Sequence, residues 1–182
     1  IKEIRDAVNL IKKNGNEKII IMHCTLCYPT AAKDANLSAI INLKKEFPNY
    51  LIGLSDHTLG IEIPSAAPLL GVEVIEKHFT FNKKLKKSAD HWLSIDTPEL
   101  KKLVENVKTV NQSFGNKKKL VLKCERKARN FARRSIVSAH KIKKNQKISF
   151  EDLKFKRPGT GISPAKISSV LGKYLKRNIQ ED

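Results

Sequence analysis

Hydrophobic positions along the first hundred residues switch repeatedly between a helical and a strand period. Ile1, Ile4, Val8 and Ile11 recur at helical spacing and predict a helix that Gly15 stops. Residues 19–25 run Ile-Ile-Ile-Met-His-Cys-Thr and predict a strand buried on both faces. Leu37, Ile40, Ile41 and Phe47 form the apolar face of a second predicted helix, with Asp34 as its cap. A second strand is predicted over 51–55, a short helix entered near Pro64 over 61–70, and a third strand over 72–78. Thr97 is expected as an N-cap with Pro98 at the first helical position. Leu100, Leu103, Val104, Val107, Val110 and Phe114 continue that helix, and Gly115 ends it.

Strands that alternate with helices imply parallel pairing through helical crossovers, hence an α/β fold. Three such strands do not separate a doubly wound sheet from part of a barrel. All three, however, end in polar residues: His23-Cys24-Thr25, Ser55-Asp56-His57-Thr58 and Glu76-Lys77-His78. The carboxyl ends of parallel strands are where α/β enzymes place their sites, which favours an enzyme over a scaffold.

The pattern breaks after residue 115. Lys117, Lys118, Lys119, Lys123, Arg126 and Lys127 read as an exposed basic linker over 116–130. Beyond it the pieces are short: a strand over 134–139, a turn at 143–146, extended segments marked by Ile148, Leu153 and Phe155, a loop at 157–161, and a last helix opened by Pro164. Residues 131–182 therefore read as a second, small, β-rich domain.

Charge sharpens this division. Of 182 residues, 1–100 carry 13 basic against 12 acidic side chains, whereas 101–182 carry 23 against 6. The excess is mostly Lys, which fits a solvated surface, and a phosphate-rich partner such as nucleic acid is the rival reading. Aromatic residues make up only 6% of the chain, too few to favour base stacking. No apolar run is long enough to cross a membrane and no basic-then-apolar leader opens the chain. Three cysteines, Cys24, Cys27 and Cys124, do not make a disulfide framework, and a reducing cytoplasm is expected.

His57 and His78 are the sharpest candidate pair. Each sits at the carboxyl end of a strand, and adjacent strands lie ~4.8 Å apart, so both imidazoles can converge on one ion. The alternative is that each hydrogen-bonds a neighbour and binds nothing. Asp56 and Glu76 flank them and can orient an imidazole or move a proton; pairing with Lys77 or helix capping is the alternative for each. Ser55 can donate to a phosphate or serve as a turn hydroxyl. Cys24 and Cys27 form a lone C-x-x-C with no second pair and read as packing residues. Arg157, in Lys-Arg-Pro-Gly-Thr-Gly, is presented on a constrained loop able to clamp an anion or a carbonyl oxygen. No P-loop, G-x-G-x-x-G or G-x-S-x-G string occurs.

Several strings in series carry a resemblance. They are His23-Cys24-Thr25 with Tyr28-Pro29-Thr30, the run from Gly53 to Gly60 containing Ser55-Asp56-His57-Thr58, and Val74 to Thr80 containing Glu76-Lys77-His78-Phe79. Asp90-His91, Arg133-Arg134-Ser135, and Lys156 through Pro164 with Arg157-Pro158-Gly159 follow. In this order they resemble the sialic acid synthase family, N-acetylneuraminate synthase and its nonulosonate relatives. The resemblance implies the C-terminal part of a (β/α)8 barrel over 1–115 and, after the basic linker, a small SAF (antifreeze-like, β-clip) domain over 131–182 that stops short. The chain is accordingly expected to be a fragment, inactive alone.

The resemblance further implies condensation of phosphoenolpyruvate with N-acetylmannosamine or a related 2-acetamido sugar, with release of phosphate. A divalent ion, Mn2+ or Mg2+, would be held by His57 and His78 and would polarise the sugar aldehyde. Glu76 would assist proton movement, Ser55 would touch phosphate, and Tyr28 and Asp90 would touch the sugar. Arg157 matches a residue that reaches the partner subunit's site in a domain-exchanged homodimer and binds the N-acetyl group, with Phe131 as its apolar neighbour. Two departures bear on the sugar: Leu26 stands where some members carry a polar side chain, and a basic loop, 83–87, precedes Ser88-Ala89-Asp90. A legionaminate- or pseudaminate-type synthase is the alternative within the family.

Overall fold

The computed structural model describes residues 1–87 and 90–182; the Ser88-Ala89 part of the departure just named lies outside the described residues. Two compact units divide the chain, Ile1–Lys117 and Lys118–Asp182. In the first, α1 (Lys2–Lys13), β1 (Ile20–Cys24), α2 (Ala39–Glu46), β2 (Leu51–Asp56), α3 (Glu62–Ala66), β3 (Val74–Lys77) and α4 (Thr97–Phe114) follow in turn. The strands form one parallel sheet in the order β1-β2-β3, as the alternation predicts.

Alternation along each strand decides which face the helices cover. Ile21 on β1 and Ile52 and Leu54 on β2 point into a core with Val8 of α1, Ile40 and Leu43 of α2, Phe47, Ala67 and Val72. Ile40 and Ile52 are wholly buried, and each such side chain contributes about 1.5–3 kcal/mol by leaving water. The opposite face carries Ile20 and Leu51, both almost half exposed, and Met22, Gly53 and Val74 in one cross-strand row. Gly53 lets Met22 lie across this row: a Cβ here would meet the Met22 sulfur at 2.2 Å, displacing that flexible side chain, and the Val74 carbonyl oxygen at a tight 3.0 Å. β1 is thus buried on one face by helices and open at Ile20 and Cys24 on the other, where burial on both faces was expected of it, whereas the central β2 is buried from Ile52 to Asp56.

Two caps differ from expectation. Asp34 ends a short 3-10 turn, Ala32–Asp34, and α2 starts only after Ser38, because Asn36 takes φ 44° and breaks the path between them. Asp96, one residue before the expected Thr97, caps α4. Its carboxylate accepts from the Glu99 N–H, and Glu99 Oε2 accepts from the Asp96 N–H, a reciprocal capping box with Pro98 in the first turn. The hydrogen bond from Lys83 holds the Glu99 carboxyl below its ordinary 4.5, against the opposing effect of burial and with help from the Asp96 N–H. A lowered carboxyl pKa stabilises the fold above the unfolded value and is lost as pH falls through the folded one. Asp96→Ala, which deletes the carboxylate that accepts from the Glu99 N–H, is expected to cost about 1 kcal/mol in urea unfolding at pH 7; the stability that Glu99 adds through its lowered pKa is a separate contribution, expected to be lost as pH falls below the ordinary 4.5 and to be absent in Glu99→Gln.

In the second unit, α5 (Glu125–Ala132) begins in the stretch expected as a linker, runs past its expected end at residue 130, and has no buried residue. β4 (Ser135–Ser138) and β5 (Leu153–Lys156) pair antiparallel, and isolated bridges tie Ile142 to Ile179 and Lys147 to Tyr174. Ile142 and Ile148 are the buried apolar side chains. The segment opened by Pro164 is a 3-10 helix, Pro164–Ser169. Asp152 accepts from the backbone N–H and hydroxyl of Ser149, which hold its carboxyl below the usual range, and His140 closes the turn at 3.0 Å.

Candidate active site

The open face of the sheet ends in two rows of polar side chains. Cα register aligns Cys24, Ser55 and Glu76, and the Ser55 hydroxyl donates to Glu76 Oε1 at 2.6 Å. Two residues beyond Ser55, just past the end of β2, the period of a strand returns His57 to the same face, and two beyond Glu76, just past β3, it returns His78. The imidazole centroids of His57 and His78 lie 5.1 Å apart at 64°. Tyr28, from the loop after β1, sets its ring 4.3 Å from His57 and 5.8 Å from His78. Asp90 Oδ2 stands 3.8 Å from His78 Nδ1. The structure therefore brings Ser55, Glu76, His57, His78, Tyr28 and Asp90 together.

Hydrogen bonding fixes one ring's tautomer. His57 Nδ1 lies 3.1 Å from the Thr25 carbonyl oxygen, which only accepts, so Nδ1 is the donor and the lone pair of the neutral ring falls on Nε2. His57 is 6% exposed, and the backbone N–H of Thr30 donates to its carbonyl at 2.9 Å. An imidazole whose Nδ1 donates to an oxygen partner is the arrangement in which Nε2 serves as a metal ligand; His57 has that bond, and His78 Nδ1 has a carboxylate oxygen nearby at 3.8 Å. The donor set fits a divalent cation whose other positions go to oxygen. No group of three or more His, Cys, Asp or Glu suited to a metal occurs among the described residues.

Arg157 and Phe131 lie in the second unit. Arg157 Nε donates to the Ala132 carbonyl at 2.9 Å, which orients the guanidinium beside the end of α5, where Phe131 is 61% exposed. Ser135 Oγ donates to the Pro158 carbonyl and accepts from the Gly161 N–H, while Gly159 N–H donates to the Asn130 carbonyl. A side chain at Gly159 would meet the Arg133 Cβ at 2.5 Å, so glycine lets the loop close against that backbone.

One neighbour takes a role that the sequence left open, and the cysteines and His91 depart from the sequence reading. Asp56 touches Lys77 and Thr58 and serves as an ion-pair partner, one of the two roles open to it. The cysteines are exposed, not packed; Cys24 lies on the open face with its sulfur 3.9 Å from His57 Nδ1. His91, not singled out before, bonds the buried Thr80 hydroxyl at 2.8 Å and so braces the loop that carries Asp90. The adjacent Asp90-His91 string was its only signal.

Polar groups converging at the carboxyl end of a parallel sheet place the chain in the α/β class, and comparison with known proteins resolves it further. The NeuB family model matches residues 1–119 and the SAF domain matches 133–182. The chain belongs to the NeuB family, the family of sialic acid synthases and related nonulosonate synthases, and carries a SAF domain. It is 43% identical over 182 residues to an uncharacterised protein of Methanocaldococcus jannaschii, covering 100% of this chain and 53% of that protein. It is 39% identical to the N,N'-diacetyllegionaminic acid synthase of Legionella pneumophila, covering 98% of this chain and 51% of that one. Among solved structures, the N-acetylneuraminic acid synthetase of Leptospira borgpetersenii is 38% identical over 70% of this chain and 44% of its own, with a TM-score of 0.61. The chain spans about half the length of the curated relatives it matches.

Proposed function

We propose that the full-length protein condenses phosphoenolpyruvate with N-acetylmannosamine or a related 2-acetamido sugar and releases phosphate. The observation that carries this reading is the stacking of the Ser55–Glu76 row beneath the His57–His78 pair, in a chain of a synthase family. In this reading the three parallel strands are the last part of a (β/α)8 barrel. The sheet has two open edges among the described residues, and a groove of about 420 Å³ beside β3, lined by Ile75, Phe79, Leu100 and Val104, offers apolar surface to further elements. Coverage of about half of each relative supports the same reading.

His57 and His78 would hold Mn2+ or Mg2+. Such an ion, when bound, supplies Lewis-acid polarisation of the sugar aldehyde. Glu76 is fixed by the Ser55 hydroxyl through Oε1, and its Oε2 takes or returns a proton as the new bond forms. Ser55 turns its hydroxyl from Glu76 to a phosphate oxygen when phosphoenolpyruvate arrives. Tyr28 and Asp90 stand beside the imidazoles and bind the sugar. Arg157 and Phe131 take the N-acetyl group in the partner subunit of a domain-exchanged homodimer; the oriented guanidinium and exposed ring support this. The basic surplus of residues 101–182 is solvated surface. Three free cysteines accord with a cytoplasmic enzyme, and no described helix is long and apolar enough to cross a membrane.

The Legionella relative makes an N,N'-diacetylated sugar the second reading. Both are tested with the full-length protein, phosphoenolpyruvate, Mn2+ and a panel of 2-acetamido and 2,4-diacetamido sugars. The expected result is phosphate release with a product heavier than the sugar by one pyruvate. Phosphate retained with every sugar overturns the condensing reading, and turnover confined to a diacetamido sugar selects the second.

A further inference from the structure

The β2–β3 ladder ends one residue short of the histidines. Its last register pair is Asp56 with Lys77; His57 and His78 follow on each strand. Because side chains alternate, this pair points away from the open face, toward the helix-covered side where Leu54 and Ile75 pack. The Lys77 and Asp56 side chains are 4% and 2% exposed and meet at 2.6 Å. The Lys77 ammonium also donates to the Thr58 carbonyl, and Asp56 accepts from the Thr58 N–H at 3.2 Å and from its hydroxyl at 3.1 Å. The residues on both sides of His57 are therefore tied to the residue that carries His78.

We infer that the buried Asp56–Lys77 pair is a positioning device that sets the separation of His57 and His78 and hence the divalent-ion affinity of the site. This rests on the metal reading above. A buried ion pair is a weak source of stability, since desolvation offsets most of its attraction. What this one does supply is a short, directional cross-strand link where backbone pairing has run out. Without it the backbone ladder still ends at Asp56–Lys77, but beyond that pair the His57 carbonyl is held by the Thr30 N–H and the His78 carbonyl by the Ile95 N–H, and two ligands that must converge closely lose the side-chain link between their strands.

The test separates positioning from structural support. Lys77→Met alone leaves a buried carboxylate without its cation and destabilises the protein strongly. The double variant Asp56→Leu/Lys77→Met removes both charges together and is expected to unfold near the wild-type urea midpoint. In the full-length protein its Mn2+ affinity, read by electron paramagnetic resonance of the free ion, is expected to fall about 10–100-fold, the usual cost of losing a group that orients a ligand. A double variant that folds and binds Mn2+ as tightly as wild type overturns the inference. If the double variant does not fold, Thr58→Val, which deletes one hydroxyl from the clamp, decides: several-fold weaker binding supports the inference and unchanged binding overturns it. Wild-type protein that binds no Mn2+ overturns the metal reading itself, a result distinct from either.

Discussion

Alanine at His57 or His78 in the full-length protein is expected to abolish Mn2+-dependent phosphate release, with a loss well beyond about 10²-fold. The magnitude follows from what each ring does. Removing a group that merely orients a metal ligand costs about 10–100-fold in affinity or activity, so removing a ligand costs more. Among the described residues these two imidazoles face each other 5.1 Å apart, and no cluster of three or more candidate ligands occurs. Neither ring belongs to the apolar core of the first unit. His57 gives up one hydrogen bond to Thr25, about 1 kcal/mol of stability, whereas His78 is half-buried and gives up only its approach to Asp90. The two variants should thus differ modestly in unfolding midpoint while losing Mn2+ binding alike. Retention of Mn2+ binding and turnover by both variants eliminates the pair as ligands; retention by one identifies that ring as a hydrogen-bonding histidine.

How far the sequence carried the argument depends on the scale of each signal. Element type followed from periodicity, because Ile52 and Leu54 must face the helices and Ser55 and His57 the other way. Convergence of His57 with His78 was legible from strand ends alone, since parallel register lets consecutive strands finish side by side. The identity of each cap was not: Asp96 and Thr97 are both good cap residues, and which one acts is settled by where Glu99 can reach back. Nor was the exposure of Cys24 legible. An apolar run such as residues 19–22 reads as buried on both sides, and only the sheet's neighbours show that one side carries no helix. His91 was missed for a related reason, because a loop histidine has no periodicity and only its bond to Thr80 reveals its place.

Mixing two inactive variants is expected to restore activity if Arg157 serves a neighbouring subunit. His57→Ala disables the sugar-activating site of its own chain; Arg157→Ala disables the N-acetyl contact in the site of its partner. Each homodimer then has a defect in both sites and little turnover. A hybrid dimer gathers both defects in one site and leaves the other with an intact His57–His78 pair and an intact Arg157. Random exchange places about half of the subunit pairs in hybrids with one working site of two, so activity should reach about a quarter of wild type, as expected for a two-fold assembly. The loop supports such a role physically. Arg157 is anchored through Nε to the Ala132 carbonyl, which leaves the rest of its donor fork to meet an acyl oxygen, and Gly159 lets the loop lie tight against Arg133. Were Arg157 to act within its own subunit, hybrids would carry one defect in each site, and co-refolded mixtures would show no gain over the separate variants. That outcome would remove domain exchange from the proposal while leaving the histidine pair untouched, because the two arms depend on different residues in different units of the chain.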